Sequence, residues 1–312
     1  MRGELLPITI LQPELSREHH AENCATIARL LTDVRDESVI VLPELWWRSD
    51  DVVTYLRWLQ VNAARTQSVI VGGSLHTTAE SWNALPENLR GKNPPATWSG
   101  VANLGAVVAP DGTVRAWYGK QHPYGVEVER GVQPALCPGT FEWRGARVGV
   151  MICADAWDAK LWRDCFCADV PTYRGADEPI VKTKSVTLRN KHRHVGTSDH
   201  RHRTSASGQF PELICITTQS VAGEHARAES RALWNALATA RAYEFGCGVA
   251  IADWAAAEHP DGNPTAGAAG FVDPASPSAA FVACNDHIQH ATLDISAVTA
   301  HRTRRVARGF YW

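Results

Sequence analysis

Arg147-Val148-Gly149-Val150-Met151-Ile152-Cys153-Ala154-Asp155-Ala156-Trp157 is an apolar run that ends on a cysteine and opens into a segment able to turn helically. A strand that stops on a thiol and bends into a helix lifts the sulfur above a sheet edge and points it at the positive helix end, a geometry that favours thiolate. Two upstream strands end on residues that complement a thiol. Glu44 follows Val39-Ile40-Val41-Leu42-Pro43, and Lys120 follows Val114-Arg115-Ala116-Trp117-Tyr118-Gly119. An acid, a cation and a thiol, each at the end of its own strand, are thereby expected to meet at one sheet edge.

The chemistry accounts for the three types. A thiol attacking a carbon bonded to nitrogen needs a base that takes its proton and later returns it to the leaving group, and a carboxylate in a dry pocket suits that task. Negative charge then gathers on the substrate oxygen, or on nitrogen in a nitrile, where a fixed ammonium offsets it in a low dielectric. Glu44 fits the base and Lys120 the cation, with the backbone N–H of Ala154 as a second donor.

These residues resemble the nitrilase, or carbon–nitrogen hydrolase, superfamily, whose catalytic set is Glu, Lys and Cys. The resemblance spans most of the chain: Gln12, Leu42-Pro43-Glu44-Leu45-Trp46, Val71-Gly72-Gly73-Ser74, Ala109-Pro110-Asp111-Gly112, Tyr118-Gly119-Lys120-Gln121-His122, Pro138-Gly139 and Gly149-Val150-Met151-Ile152-Cys153. It resumes at Trp234, at Ala240-Arg241-Ala242-Tyr243-Glu244 and at Gly267-Ala268-Ala269-Gly270-Phe271-Val272-Asp273-Pro274. It implies an α/β fold, a four-layer α-β-β-α sandwich, in a single domain over residues 1–312, and a homo-oligomer. It also implies a second glutamate that holds the lysine. Ungapped counting gives Glu127, whereas Tyr124-Gly125-Val126 followed by Glu129-Arg130 resembles the glutaminase domain of glutamine-dependent NAD synthetases and favours Glu129. Cys153-Ala154-Asp155-Ala156-Trp157 lies closer to the Cys-x-Asp-x-Trp of those glutaminases than to the Cys-Trp-Glu of nitrile-hydrolysing members, which points to amides. The chain has no room for the ATP-dependent synthetase half.

The expected activity is therefore metal-independent and cofactor-independent thiol hydrolysis of a small non-peptide amide through a thioester. Nitrile or carbamoyl hydrolysis by the same residues is the alternative within enzymes, and a non-catalytic binding or regulatory member the alternative outside them. A net charge of −2 gives no global attraction to nucleic acid or membrane. No apolar run is long enough to span a bilayer, and the N-terminal stretch is too short for a signal peptide, so a cytoplasmic location is expected. Eight cysteines without dense regular spacing read as reduced thiols.

Hydrophobic patterning alternates strands and helices: strands over 7–11, 39–42 and 68–72, helices over 20–31 and 51–64, a hairpin within 97–120 turning at Pro110-Asp111-Gly112, and core strands over 148–152, 213–217 and 249–253. Residues 171–210 depart from that pattern and read as a basic, His-rich insertion. Its centre, 182–203, holds seven Lys or Arg, one Asp and the histidines His192, His194, His200 and His202. A solvated insertion or a pocket lid fits this composition better than a metal site, because carboxylates and zinc-spaced cysteines are lacking nearby, and Cys165-Phe166-Cys167 has no partner pair. Arg241 and Glu244 are spaced for one face of a helix, and the family resemblance makes them a scaffold that packs near the active site. Trp46, Trp47 and Trp157 are close enough in sequence to the candidate residues to line an aromatic pocket.

Overall fold

A computed structural model describes residues 4–34, 37–91, 96–136, 138–166, 210–222, 227–259, 264–276 and 280–308. The insertion over 171–209 and its four histidines lie outside the described residues. In chain order the elements are β1 (Leu5–Leu11), α1 (His20–Leu30), β2 (Val39–Val41), α2 (Val52–Thr66), β3 (Val69–Val71), β4 (Leu75–Thr78), α3 (Ala79–Asn83), α4 (Glu87–Arg90), β5 (Val101–Val108), β6 (Val114–Gly119) and α5 (Val126–Glu129). They continue with β7 (Gly139–Trp143), β8 (Ala146–Ile152), α6 (Ala159–Phe166), β9 (Leu213–Thr217), α7 (Arg227–Phe245), β10 (Gly248–Ala252), β11 (Gly270–Val272), β12 (Val282–Ala283), β13 (Ile288–Asp294) and α8 (Ile295–Ala307).

The strands form two sheets. One runs β13-β1-β2-β3-β5-β4, with β6 also paired to β5; the other runs β12-β11-β10-β9-β8-β7. Pairing is parallel through the middle of each sheet, β1-β2-β3 in the first and β8-β9-β10 in the second, and antiparallel towards the edges. Central parallel strands are buried on both faces, which is why they read as unbroken β-branched runs.

Side-chain alternation with a period of two assigns each face. In the first sheet Ile8, Ile10, Val39, Val41, Val69 and Val71 join the core shared with the second sheet. Leu11, Ile40, Leu42 and Ile70 instead join the outer core beneath α1 and α2. On the far side, Trp162 and Phe166 of α6 and Trp234, Leu237 and Ala238 of α7 cover the second sheet. The layers are therefore α-β-β-α. Each fully buried Val, Ile or Leu contributes about 1.5–3 kcal/mol, and truncating one of them to Ala costs about 2–5 kcal/mol because a void remains.

Local chemistry sets the boundaries. The Asp51 side chain accepts from Thr54 N at 2.9 Å to cap α2, and Gln67, left-handed at φ 48°, ends it. The α2 residues Val52, Tyr55, Leu56, Leu59 and Ala63 make one buried stripe. The β5–β6 hairpin closes where Gly112 takes φ 79° and Asp111 accepts from Thr113 N at 3.0 Å. Phe210, at the end of the anticipated insertion, belongs to the core: it is buried and stacks on Phe245 at 5.0 Å between ring centroids. No described helix is long and apolar enough to cross a membrane.

Candidate active site

Glu44, Lys120 and Cys153 come together in one cavity of about 380 Å³, each of them buried. Glu44 lies just past β2, where the chain crosses from the first sheet towards the second. Its backbone N–H donates to Thr218 O at 3.2 Å, and its carbonyl accepts from Trp254 Nε1 at 2.7 Å, so the ends of β9 and β10 fix the crossing. The Glu44 carboxylate accepts from Lys120 Nζ at 2.7 Å and Asn103 Nδ2 at 2.8 Å on Oε1, and from Gln219 N at 3.0 Å on Oε2. Lys120 leaves β6 with its N–H on Asn103 O at 2.9 Å.

The lysine has a second carboxylate, and it belongs to Glu127. Lys120 Nζ lies 2.5 Å from Glu127 Oε2, while Glu127 Oε1 accepts from Asn103 Nδ2 at 2.8 Å and sits 3.2 Å from His76 Nε2. Glu129, the residue the NAD synthetase resemblance favours, is exposed. The correction has a simple cause: α5 is one short turn, and residues two apart on a helix face different ways, so only one glutamate of the pair can face the cavity.

Asn103 and His76 carry no signal in the motifs. Asn103 alternates with Ala102 and Leu104, which face the outer core, so β5 directs its amide between the sheets. A lone amide in an otherwise apolar strand, two residues before Gly105, is the one sequence cue that could have singled it out.

Electrostatics follow from burial and pairing. Burial alone would lower the Lys120 pKa, but the Glu44 and Glu127 carboxylates outweigh it and hold the ammonium above its ordinary value. Burial likewise resists ionisation of Glu127, yet the His76 hydrogen bond, the charge and bond of Lys120 and the Asn103 amide bring it down to about 2. Cys153 goes the other way. Burial and the neighbouring Glu44 charge push the thiol well above its usual range, and Lys120 only partly offsets them. The strand-to-helix turn therefore does not rest as a thiolate, contrary to the expectation from its position. The turn is a short 3-10 segment, Cys153–Trp157, without the helix dipole needed to stabilise an anion.

That turn is tied down on both sides. The buried Asp155 accepts from Gln121 N at 3.0 Å and His122 N at 2.8 Å, which joins the residues after the lysine to those after the cysteine. Burial raises Asp155 to about 6, against the pull of these N–H donors. Arg241 donates to Ala156 O at 3.3 Å and Trp157 O at 2.9 Å and pairs with Glu244 at 2.7 Å, which is the scaffold role expected of that helix face. Ala154 is half-buried within the turn.

Trp46 and Trp47 are buried in the outer core with Tyr55, and Trp157 is exposed with its ring against Trp234 at 5.5 Å. None of the three lines the cavity, because the turn after Glu44 directs both indoles towards α2.

No family model and no curated relative matches the sequence. Solved structures share the fold across nearly the whole chain. A CN-hydrolase superfamily protein from Xanthomonas campestris, with an arsenic adduct in its active site, superposes with a TM-score of 0.67 at 18% identity, covering 97% of this chain and 96% of that one. Saccharomyces cerevisiae Nit3, of branch 10 of the nitrilase superfamily, gives 0.63 at 15% identity over 96% and 94% of the two chains. A variant of the nitrilase-superfamily amidase from Nesterenkonia AN1 gives 0.62 at 16% identity over 99% and 98%. Another variant of the Nesterenkonia amidase carries the acetamide moiety of fluoroacetamide on its active-site cysteine.

Proposed function

We propose that this chain is a carbon–nitrogen hydrolase of the nitrilase superfamily that cleaves a small, non-peptide amide through a Cys153 thioester and releases ammonia or an amine. One observation carries the reading: Cys153 shares a buried cavity with an ammonium, Lys120, that is held between two carboxylates, Glu44 and Glu127. An inert fold has no use for so costly an arrangement of charge away from water.

Because the thiol rests protonated, attack is coupled to proton transfer. As sulfur bonds to the carbonyl carbon, the thiol proton passes to Glu44. The charge that develops on oxygen is met by the Lys120 ammonium and the Ala154 N–H. Glu44 returns the proton to nitrogen as the C–N bond breaks, and the amine leaves. Water then attacks the thioester, giving Glu44 a proton that goes to sulfur as the C–S bond opens and the acid departs. Glu127 and Asn103 keep Lys120 and Glu44 in register throughout. The covalent acetamide adduct on the Nesterenkonia amidase supports a thiol that takes carbon at this position of the fold.

The test is a panel of small amides, carbamoyl compounds and nitriles, with ammonia release compared between the native chain and Cys153→Ala. Release from amides in the native chain alone is expected. Release from nitriles alone moves the assignment to a nitrilase, and release from nothing leaves a binding or regulatory protein. The family resemblance further implies a homo-oligomer, which sedimentation velocity measures directly.

A further inference from the structure

The Lys120 ammonium has three N–H donors. Glu44 Oε1 takes one at 2.7 Å and Glu127 Oε2 a second at 2.5 Å, which leaves one for a substrate. Its direction is fixed only as well as the two carboxylates are. Glu44 is braced from both sheets, by Asn103 Nδ2 at 2.8 Å and by Gln219 N at 3.0 Å. Glu127 has less support from its own element. Helix α5 is a single turn, and Tyr124, Val126 and Val128 around it expose their side chains, so apolar packing of the turn does not anchor the carboxylate. What reaches Glu127 from a rigid element is a pair of side chains on neighbouring strands. His76 of β4 lies directly opposite Asn103 of β5 in the antiparallel register, which puts both on one face of the first sheet. His76 Nε2 at 3.2 Å and Asn103 Nδ2 at 2.8 Å both meet Glu127 Oε1. Asn103 divides its amide between the two carboxylates, whereas His76 turns its Nε2 to Glu127. An ionised carboxylate only accepts, so the ring nitrogen facing it carries a proton and donates.

Resting on the amide-hydrolase reading of the site, we propose that His76 is a positioning residue for the reaction: by holding Glu127 Oε1 beside Asn103, it aims the third N–H of Lys120 at the substrate oxygen that becomes charged. The consequence is specific to the transition state. A misaimed ammonium loses more against an oxyanion than against a neutral carbonyl, so removal of the His76 donor lowers kcat and leaves KM close to native. A residue that merely fills the cavity wall would instead alter KM, stability or both. The donor matters here and the ring does not, because Glu127 needs an N–H at one point in space. Glutamine, whose Nε2 reaches about as far along the side chain as the imidazole Nε2, is therefore a working substitute.

The experiment compares the native chain with His76→Leu and His76→Ala, which remove the donor in two sizes, and with His76→Gln, which restores it. Butyramide hydrolysis should lose about tenfold or more in kcat in the first two, with KM within about twofold, and return to within about threefold of native in the third. A second readout does not need turnover. Butyraldehyde is open to attack by Cys153: sulfur bonds to carbon, the C=O π pair moves to oxygen and the thiol proton passes to Glu44, which leaves the oxygen where the amide oxyanion forms. Its dissociation constant, read as protection of Cys153 from iodoacetamide, should rise about tenfold in the Leu and Ala variants and stay near native in the Gln variant. Equal loss in all three variants, a change confined to KM, or protection that is absent or indifferent to the variant overturns the proposal while amide hydrolysis by the native chain stands. Failure of the native chain to hydrolyse any amide counts against the hydrolase reading instead, and the aldehyde series then still decides the role of His76.

Discussion

Two carboxylates, Glu127 and Asp253, are taken out of water near the same end of the sandwich and meet opposite fates. Glu127 contacts an ammonium, an amide and an imidazole, and is driven down to about 2. Asp253, at the end of β10, accepts from Ser220 N at 2.9 Å, Trp254 N at 2.8 Å, Ala268 N at 2.6 Å and the Ser220 hydroxyl, yet burial still raises it to about 6. Four neutral donors do not offset complete desolvation at Asp253, whereas the His76 bond, the Lys120 cation and the Asn103 amide together offset the less complete desolvation of Glu127. The pair divides accordingly: the carboxylate that lines the cavity is kept charged beside Lys120, and the sealed one stitches loops together. The stitching reaches the chemistry indirectly, because Ser220 adjoins Gln219, whose N–H holds Glu44.

The largest effect that would break this division lies at Glu44. Glu44→Gln should lose about 10²- to 10⁴-fold in turnover, the range for removing a general base, and alkylation of Cys153 at neutral pH should slow with it, because burial still keeps the thiol protonated and its proton has lost its acceptor. Steady-state rates and timed alkylation check both halves, and a variant that kept its activity would remove Glu44 from the base role.

Next, Glu127→Gln should cost about a hundredfold in kcat through a misplaced Lys120. Asp253→Asn should chiefly cost stability, about 2–4 kcal/mol, since its new N–H group faces buried donors. Urea denaturation alongside kinetics separates the two, and a reversal of the pattern would erase the contrast.

The pH dependence of stability sharpens it further. Glu127 has a depressed folded pKa, so its contribution is complete above the unfolded value of about 4.3 and lost as pH falls through about 2. Asp253 has a raised one, so its contribution is complete below about 3.9 and lost as pH rises through about 6. Unfolding free energies from pH 2 to pH 7 should lose the acid-side slope in Glu127→Gln and the slope between about 4 and 6 in Asp253→Asn. The smallest effect is expected at the exposed Glu129, where Gln should stay within about 0.5 kcal/mol in stability and alter turnover little.

What the sequence carried, and what it could not, follows from the range of the forces involved. Val39–Val41, Val114–Gly119 and Leu213–Thr217 were legible as strands because a core-facing strand announces itself within a few residues. Glu44 and Lys120, which follow the first two of them, and Cys153, which follows β8, were legible as candidates in the same way. Glu127 against Glu129 was not, because the choice depends on how a single turn of helix is rotated by Lys120, Asn103 and His76, partners distant in sequence. The charge state of Cys153 was misread for a related reason: position at a strand end suggests a thiolate, but burial and the Glu44 charge come from the assembled site. The basic stretch over 171–209 falls outside the described residues.

Cys153 and Leu45 both take left-handed backbone angles, φ 45° and φ 52°, the first at the proposed nucleophile and the second beside the proposed base. For a residue with a Cβ that conformation is disfavoured by roughly 1–2 kcal/mol. Glycine would relax both turns, and at position 153 it would also delete the sulfur. Random mutagenesis screened only for heat tolerance should therefore drift towards glycine at these two turns, so survival of a warm, soluble variant is no evidence that it still works.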